Sequence, residues 1–136
     1  MLCGIEAEPS ARETTAESVR DCIVFGETFV GRPAEATFDL ACCVEVLEHI
    51  PESEADRAVD SICAHSRRWV YFSAAAPGQP GKGHVNCQPK PYWRRKFEAR
   101  GFRFAEGETA ALVDKIRDLQ PCQWLPQNAM IFERAS

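Results

Sequence analysis

Apolar and polar positions alternate along the chain in short blocks that predict small strands and amphipathic helices. Residues 2–6 form an apolar run broken by Gly4 and ended by Glu6, the pattern of a strand end. Ser10, with Glu13 three residues on, has the spacing of a capping box and predicts a helix over 11–20. Residues 22–25 are apolar at every position and closed by Gly26 and Glu27, which predicts a strand buried on both faces. A loop over 28–37 carries Gly31 and Pro33, and residues 38–44 read as the most strongly buried strand. After a turn over 45–51, Ser53 is placed to cap a helix that runs to about Ser66. Its apolar stripe is Ala55, Ala58, Val59, Ile62 and Cys63. Arg67 and Arg68 fall in its last turn, where cations suit the helix dipole. A strand follows over 69–74.

The segment 75–91 is different in kind. It holds Pro77, Pro80, Pro89 and Pro91, four of the nine prolines, together with Gly78, Gly81 and Gly83. A loop of this length inside a compact domain is usually functional. Pro91 then opens a helix over 92–100, which Gly101 stops. A strand over 102–105, a helix over 109–119 and a strand over 128–134 complete the chain. Strands alternating with helices imply a single α/β domain over residues 1–136, with a Rossmann-like, doubly wound and mostly parallel sheet. The last two strands fit an antiparallel edge pair.

In such sheets ligands bind outside the carboxyl ends of the strands. That rule singles out Glu6, Glu27, residues 44–49 and residues 73–83. A carboxylate accepts two hydrogen bonds at once and so suits a pair of sugar hydroxyls. Either acid alone reads as a solvated loop residue; at matching positions of adjacent strands, the two point toward a nucleoside site.

Charge and composition narrow the class. Sixteen basic and twenty acidic residues give a net charge of −4, without the basic excess of a nucleic-acid binder. No uncharged apolar run approaches the roughly 20 residues that span a bilayer. The first ten residues lack the basic start and apolar stretch of a signal peptide. The expectation is a cytoplasmic protein that binds neither membrane nor nucleic acid. The seven cysteines (Cys3, Cys22, Cys42, Cys43, Cys63, Cys87 and Cys122) show no C-x-x-C spacing and are odd in number. They read as small buried hydrophobes in a reducing compartment rather than as a zinc site or a disulfide framework.

Several stretches carry a resemblance. They include residues 4–10 around Glu6, Phe25-Gly26-Glu27, and Phe38-Asp39-Leu40-Ala41 running into Val44-Glu45-Val46-Leu47-Glu48-His49-Ile50-Pro51. Further along they are Gly83-His84-Val85-Asn86, Pro91-Tyr92-Trp93, Ala99-Arg100-Gly101-Phe102 and residues 128–132. Together they resemble class I S-adenosylmethionine-dependent methyltransferases, in particular the broad bacterial small-molecule group, over residues 2–134. The resemblance implies that Glu6 holds the ribose hydroxyls of S-adenosylmethionine. Glu27 then lies near the adenine amino group, and Cys43 and Val44 flank the methionine part and its methyl group. The loop over 73–86 would cover a small-molecule acceptor bearing a hydroxyl or amine.

One departure from the family is large. The family opens with a strand and a Gly-rich loop that approaches the methionine part of the cofactor, and this chain has no such motif. In the family that strand lies between those carrying Glu6 and Cys42-Cys43. Its absence leaves three expectations: the two strands pair directly, a second copy or partner chain completes the sheet, or the sequence is a portion of a longer protein. Cofactor binding is expected to be weak or absent.

His49 and His84 are the candidate bases, since a near-neutral imidazole suits removal of an acceptor proton. His49 could equally position its turn beside Ile50 and Pro51, and methyl transfer can rely on positioning alone. His65 reads as solvated at a helix end. Tyr92, Trp93 and Trp124 could line the acceptor mouth, although packing explains the first two as well. Two other readings stay open: a catalytically inactive scaffold that pairs with another chain, and a redox or metal role for the cysteines.

Overall fold

The computed structural model describes residues 3–31, 36–118 and 122–135. A four-stranded sheet is built from β3 (Phe38–Val44), β4 (Ser66–Ser73), β5 (Phe102–Phe104) and β6 (Met130–Arg134), in the order β3-β4-β6-β5. β3 runs parallel to β4, from Leu40 opposite Trp69 to Val44 opposite Ser73. β6 is antiparallel to both β4 and β5. A separate parallel pair joins β1 (Gly4–Glu6) to β2 (Ile23–Phe25), with Glu6 opposite Phe25. The architecture is the expected mixed α/β sheet with an antiparallel end.

The sheet is nonetheless in two pieces. Among the described residues no ladder joins β1 or β2 to β3, so direct pairing of the strands carrying Glu6 and Cys43 does not occur. This position also corrects the burial expected of β3. A strand at the end of the order has a neighbour on one side only; Leu40 is 50% exposed, and Cys43 is the one fully buried residue of the strand. β2 is likewise half-buried rather than buried on both faces.

The core lies where α3 (Ala55–His65) and α4 (Lys90–Glu98) cover the sheet. The helical stripe Ala55, Ala58, Val59, Ile62 and Cys63 is buried, as its spacing predicts. Phe72 on β4 meets Trp93 and Phe97 of α4 with ring centroids 5.2 and 5.1 Å apart. Phe97 stacks on Phe132 at 4.3 Å. Such pairs add to simple area burial. α5 (Glu106–Ile116) is tied to β6 by buried Thr109. Its hydroxyl donates to the Ala105 carbonyl at 2.7 Å and accepts the Ile131 N–H at 2.9 Å. A short helix, α6 (Trp124–Asn128), precedes β6.

Several local expectations are corrected. The helix expected over 11–20 is two single turns, α1 (Ala11–Thr14) and α2 (Glu17–Arg20), separated by extended Thr15. The hydroxyls of Thr14 and Thr15 bond back to the Ala11 carbonyl and compete with the helical ladder. The capping box does not form: Ser10 has helical backbone angles, and its hydroxyl donates to Glu8 Oε1 at 2.8 Å. Ser53 lies inside a 3-10 turn (Glu52–Glu54) rather than capping α3. Arg67 and Arg68 belong to β4, which starts at Ser66 because Ser66 pairs with Phe38. Arg67 Nε then reaches Asp39 Oδ1 on β3 at 2.7 Å.

α4 and α5 each begin earlier than expected, and the strand expected from Asn128 starts at Met130. Leu2, Pro33 and Leu119 lie outside the described residues. Among the described residues no helix is long and apolar enough to cross a membrane.

Candidate functional site

The carboxyl ends of β3 and β4 carry a connected polar cluster. Leaving β3, the chain turns at Glu45 with φ of 52°. Among the described residues it is the one non-glycine position in the left-handed region. The turn is held because the Glu45 N–H donates to the Ser73 carbonyl at 3.0 Å and reaches the Ser73 hydroxyl at 3.2 Å. The Glu45 carboxylate accepts from Gln79 Nε2 at 3.3 Å and from Asn128 Nδ2 at 3.1 Å. Asn128 Nδ2 also reaches Gln79 Oε1 at 2.9 Å. Three distant segments thus converge on one carboxylate: the β3 exit, the long loop and the end of α6.

A 3-10 turn (Leu47–His49) follows, anchored by fully buried Leu47. The carbonyl of Glu48 accepts the N–H groups of Val85 at 2.8 Å and Asn86 at 3.0 Å, which pins the long loop onto this turn. His49 and His84 come together as a result, with ring centroids 5.0 Å apart and nearly perpendicular planes. His49 Nδ1 lies 3.1 Å from the Gly83 carbonyl. His84 Nδ1 lies 3.3 Å from the Gln79 carbonyl and 3.5 Å from Cys87 Sγ. The Glu48 side chain is 1% exposed, and neither carboxylate oxygen has a hydrogen-bond partner. Burial pushes its carboxyl up from the ordinary value; its own backbone N–H opposes this, the Glu45 charge adds to it, and the two imidazoles oppose it in turn. Donor atoms of Glu48, His49 and His84 all lie within 4.8 Å of one another.

Glu6 and Glu27 stand at the same end of the β1–β2 pair. The Gly26 N–H donates to the Glu6 carbonyl at 2.8 Å, and Gly26, at φ of 78°, turns the chain into Glu27. Glu6 Oε1 accepts the Glu8 N–H at 2.9 Å, and among the described residues no donor is seen on its second oxygen. Cys43 is buried and its thiol is pushed up to about 12, chiefly by that burial; Val44 is half-buried. A shallow groove of about 370 Å³ beside His49 is lined by Thr28, Val30, Ile50, Pro51, Glu54 and Arg57 as well; neither Glu6 nor Glu27 lines it.

The structure therefore brings His49 to His84, and it sets Glu6 opposite Phe25, two residues before Glu27. Trp93 is fully buried against Phe72, so it belongs to the core rather than to an acceptor mouth; Tyr92 packs at the core's edge, and Trp124 is largely exposed. His65 is half-buried, its Nδ1 held to the Ser61 carbonyl at 2.7 Å rather than solvated. Of the cysteines, Cys43 and Cys63 are buried, while Cys3 and Cys42 are exposed, against the expectation of general burial. The strand-end rule singled out the stretches holding Glu45, Glu48 and Gln79 without assigning a role to any of the three, and it missed Asn128 altogether. The one available signal was a pair of acids three apart immediately after a strand.

No protein-family model and no curated protein sequence matches this chain. Solved structures do. Magnesium protoporphyrin IX methyltransferase (ChlM) from Synechocystis PCC 6803, with bound SAH, superposes with a TM-score of 0.59 at 13% identity, over 100% of this chain and 74% of that one. An O-methyltransferase family protein from Burkholderia thailandensis gives 0.62 at 10% identity, over 100% of this chain and 44% of that one. The fold is that of the S-adenosylmethionine-dependent methyltransferases. This methyltransferase fold extends to LepI, whose complex with SAM superposes at 0.60 and 11% identity, covering 99% of this chain and 36% of LepI. The chain thus spans between about a third and three quarters of the proteins that share its methyltransferase fold.

Proposed function

We propose that this chain carries out S-adenosylmethionine-dependent methyl transfer to a hydroxyl or amine of a small molecule, or forms the C-terminal portion of an enzyme that does. The observation that carries the reading is the pair of carboxylates, Glu6 and Glu27, at the same end of adjacent parallel strands, in a fold whose members include proteins crystallised with SAM or SAH. Glu6, with no donor seen on one of its oxygens among the described residues, suits the ribose hydroxyls, and Glu27 suits the adenine amino group. Cys43 and Val44, ending β3, flank the methionine part. S-adenosylmethionine, when bound, supplies an electrophilic methyl group. The chain's own contribution is to hold the acceptor under the loop over 73–86 and to take its proton on His49 or His84. A strand from a second copy or another chain beside β3 would complete the sheet. A reducing compartment, the cytoplasm, suits its free thiols.

The test is calorimetric titration with S-adenosylmethionine and S-adenosylhomocysteine, wild type against Glu6→Ala. Micromolar binding abolished by the substitution supports the assignment. Absence of heat with both ligands, or binding indifferent to Glu6→Ala, refutes it for this chain.

A further inference from the structure

Glu48 is the most anomalous side chain in the molecule. An ionised carboxylate shut away from water without a hydrogen bond is costly, and native structures almost always provide it with a partner. Here Glu45 adds like charge, and besides the residue's own backbone N–H the groups that favour the carboxylate are the imidazoles of His49 and His84; no side chain donates to either oxygen. Two imidazoles and one carboxylate, their donor atoms within 4.8 Å, need only rotamer-scale adjustment to meet one ion at roughly 2 Å.

The surroundings are arranged as for ligands. Each imidazole is oriented by a backbone carbonyl on Nδ1, that of Gly83 for His49 and that of Gln79 for His84, the outer contact that fixes the tautomer of a metal-bound histidine. Any side chain at position 81 would collide with the His84 ring, so Gly81 is what makes room for it. The turn bearing Glu48 and His49 and the loop bearing His84 are locked together through the Glu48 carbonyl, so the two segments are held side by side before any ion arrives. Cys87 Sγ lies 3.5 Å from His84 Nδ1, on the side of the ring that faces the Gln79 carbonyl, and is not one of the three grouped ligands.

We propose that Glu48, His49 and His84 bind a first-row divalent transition-metal ion, with Cys87 adjacent. Two nitrogens and one oxygen, with sulfur nearby, select ions such as Zn²⁺ or Co²⁺ over Mg²⁺ and Ca²⁺, which prefer all-oxygen shells. The observations behind the site are separate from those behind the methyl-transfer reading, but a bound ion would displace the proton-accepting role given there to His49 or His84. With the ion bound, each imidazole holds metal rather than a proton.

The experiment titrates Co²⁺ into the chelator-treated full chain and follows its visible ligand-field absorption. Zn²⁺ and Mg²⁺ serve as competitors, and circular dichroism checks the folding of every variant. The expected result is a saturable spectrum displaced by Zn²⁺ but not by Mg²⁺. Affinity should fall at least about tenfold in Glu48→Gln and in His84→Ala. Cys87→Ser should still bind, which separates the site from adventitious thiol ligation. No saturable spectrum overturns the proposal. So does a spectrum that persists in a folded His49→Ala, His84→Ala double variant, or one that is lost only when cysteines are replaced.

Discussion

Replacing Glu45 by glycine and by alanine tests whether the site holds backbone strain. At φ of 52°, an L-residue carries a left-handed penalty of about 1–2 kcal/mol. Glycine removes that penalty, and its freer unfolded chain returns about 0.4–1 kcal/mol of the gain. Both substitutions lose the same carboxylate contacts to Gln79 and Asn128, so that loss cancels between them. Glu45→Gly is therefore expected to be more stable than Glu45→Ala by roughly 0.5–1 kcal/mol. At an ordinary strand or helix position the order is reversed, alanine being favoured by about 0.5–1 kcal/mol. Urea unfolding monitored by circular dichroism measures the difference. With a slope of roughly 1–3 kcal/mol/M, the glycine midpoint should lie a few tenths of a molar higher. An alanine variant as stable as the glycine variant, or more stable, would refute the claim that the β3 exit is strained.

Two further outcomes follow from the charge and burial of particular side chains. Asp56 on α3 accepts from Lys96 at 2.9 Å and Arg100 at 3.1 Å on the neighbouring chain segment. The hydrogen bond from Lys96 leads the causes that hold its carboxyl below the usual range. A lowered folded value gives stability that is present above the unfolded pKa and lost as pH falls through the folded one. Asp56→Asn should therefore be less stable than the parent at neutral pH, by under about 1 kcal/mol because the carboxylate is mostly exposed. The gap should close below the ordinary aspartate range, and thermal unfolding at a series of pH values checks this. Burial pushes the Cys43 and Cys63 thiols up to about 12. A thiol reagent at neutral pH should label exposed Cys3 and Cys42 in the native chain and reach Cys43 and Cys63 only in denaturant; mass mapping that finds either of the latter labelled early contradicts the burial described.

What the sequence showed and what it hid divide along the line between local and distant determinants. The α3 stripe was legible because 3.6-residue periodicity alone dictates which face meets the core. The order of the strands was legible from their short continuous apolar runs, while α6 was not anticipated. The Ser10 capping box misled because Glu8, two residues earlier, satisfies the hydroxyl first. Arg67 and Arg68 fitted a helix end by charge, yet pairing of β4 with β3 outweighed that weak preference. Within the site, His49 and His84 were picked out singly, but their meeting rests on Val85 and Asn86 donating to a carbonyl across the fold. Glu48 fell in a stretch the sequence singled out, but its burial left no trace, since a three-residue turn has no periodicity that could mark one of its members as buried. Asn128 read as the start of a strand; its side chain instead closes on Glu45, 83 positions away.

The absence of any buried side chain from residues 3–28 bears on how tightly a ligand could be gripped. Cooperative units with few buried apolar contacts open at a small free energy, while the strands around Phe72 and Phe132 share the global one. Glu6 and Glu27 both ride on the easily opened unit. A molecule that needs the two acids aligned sees its intrinsic dissociation constant divided by the fraction of time that alignment exists. Occupancy one tenth of the time weakens apparent affinity about tenfold with every contact intact. Tightening the β1–β2 ladder, by a strand laid against it or by substitutions that deepen its burial, would then raise affinity without touching either carboxylate.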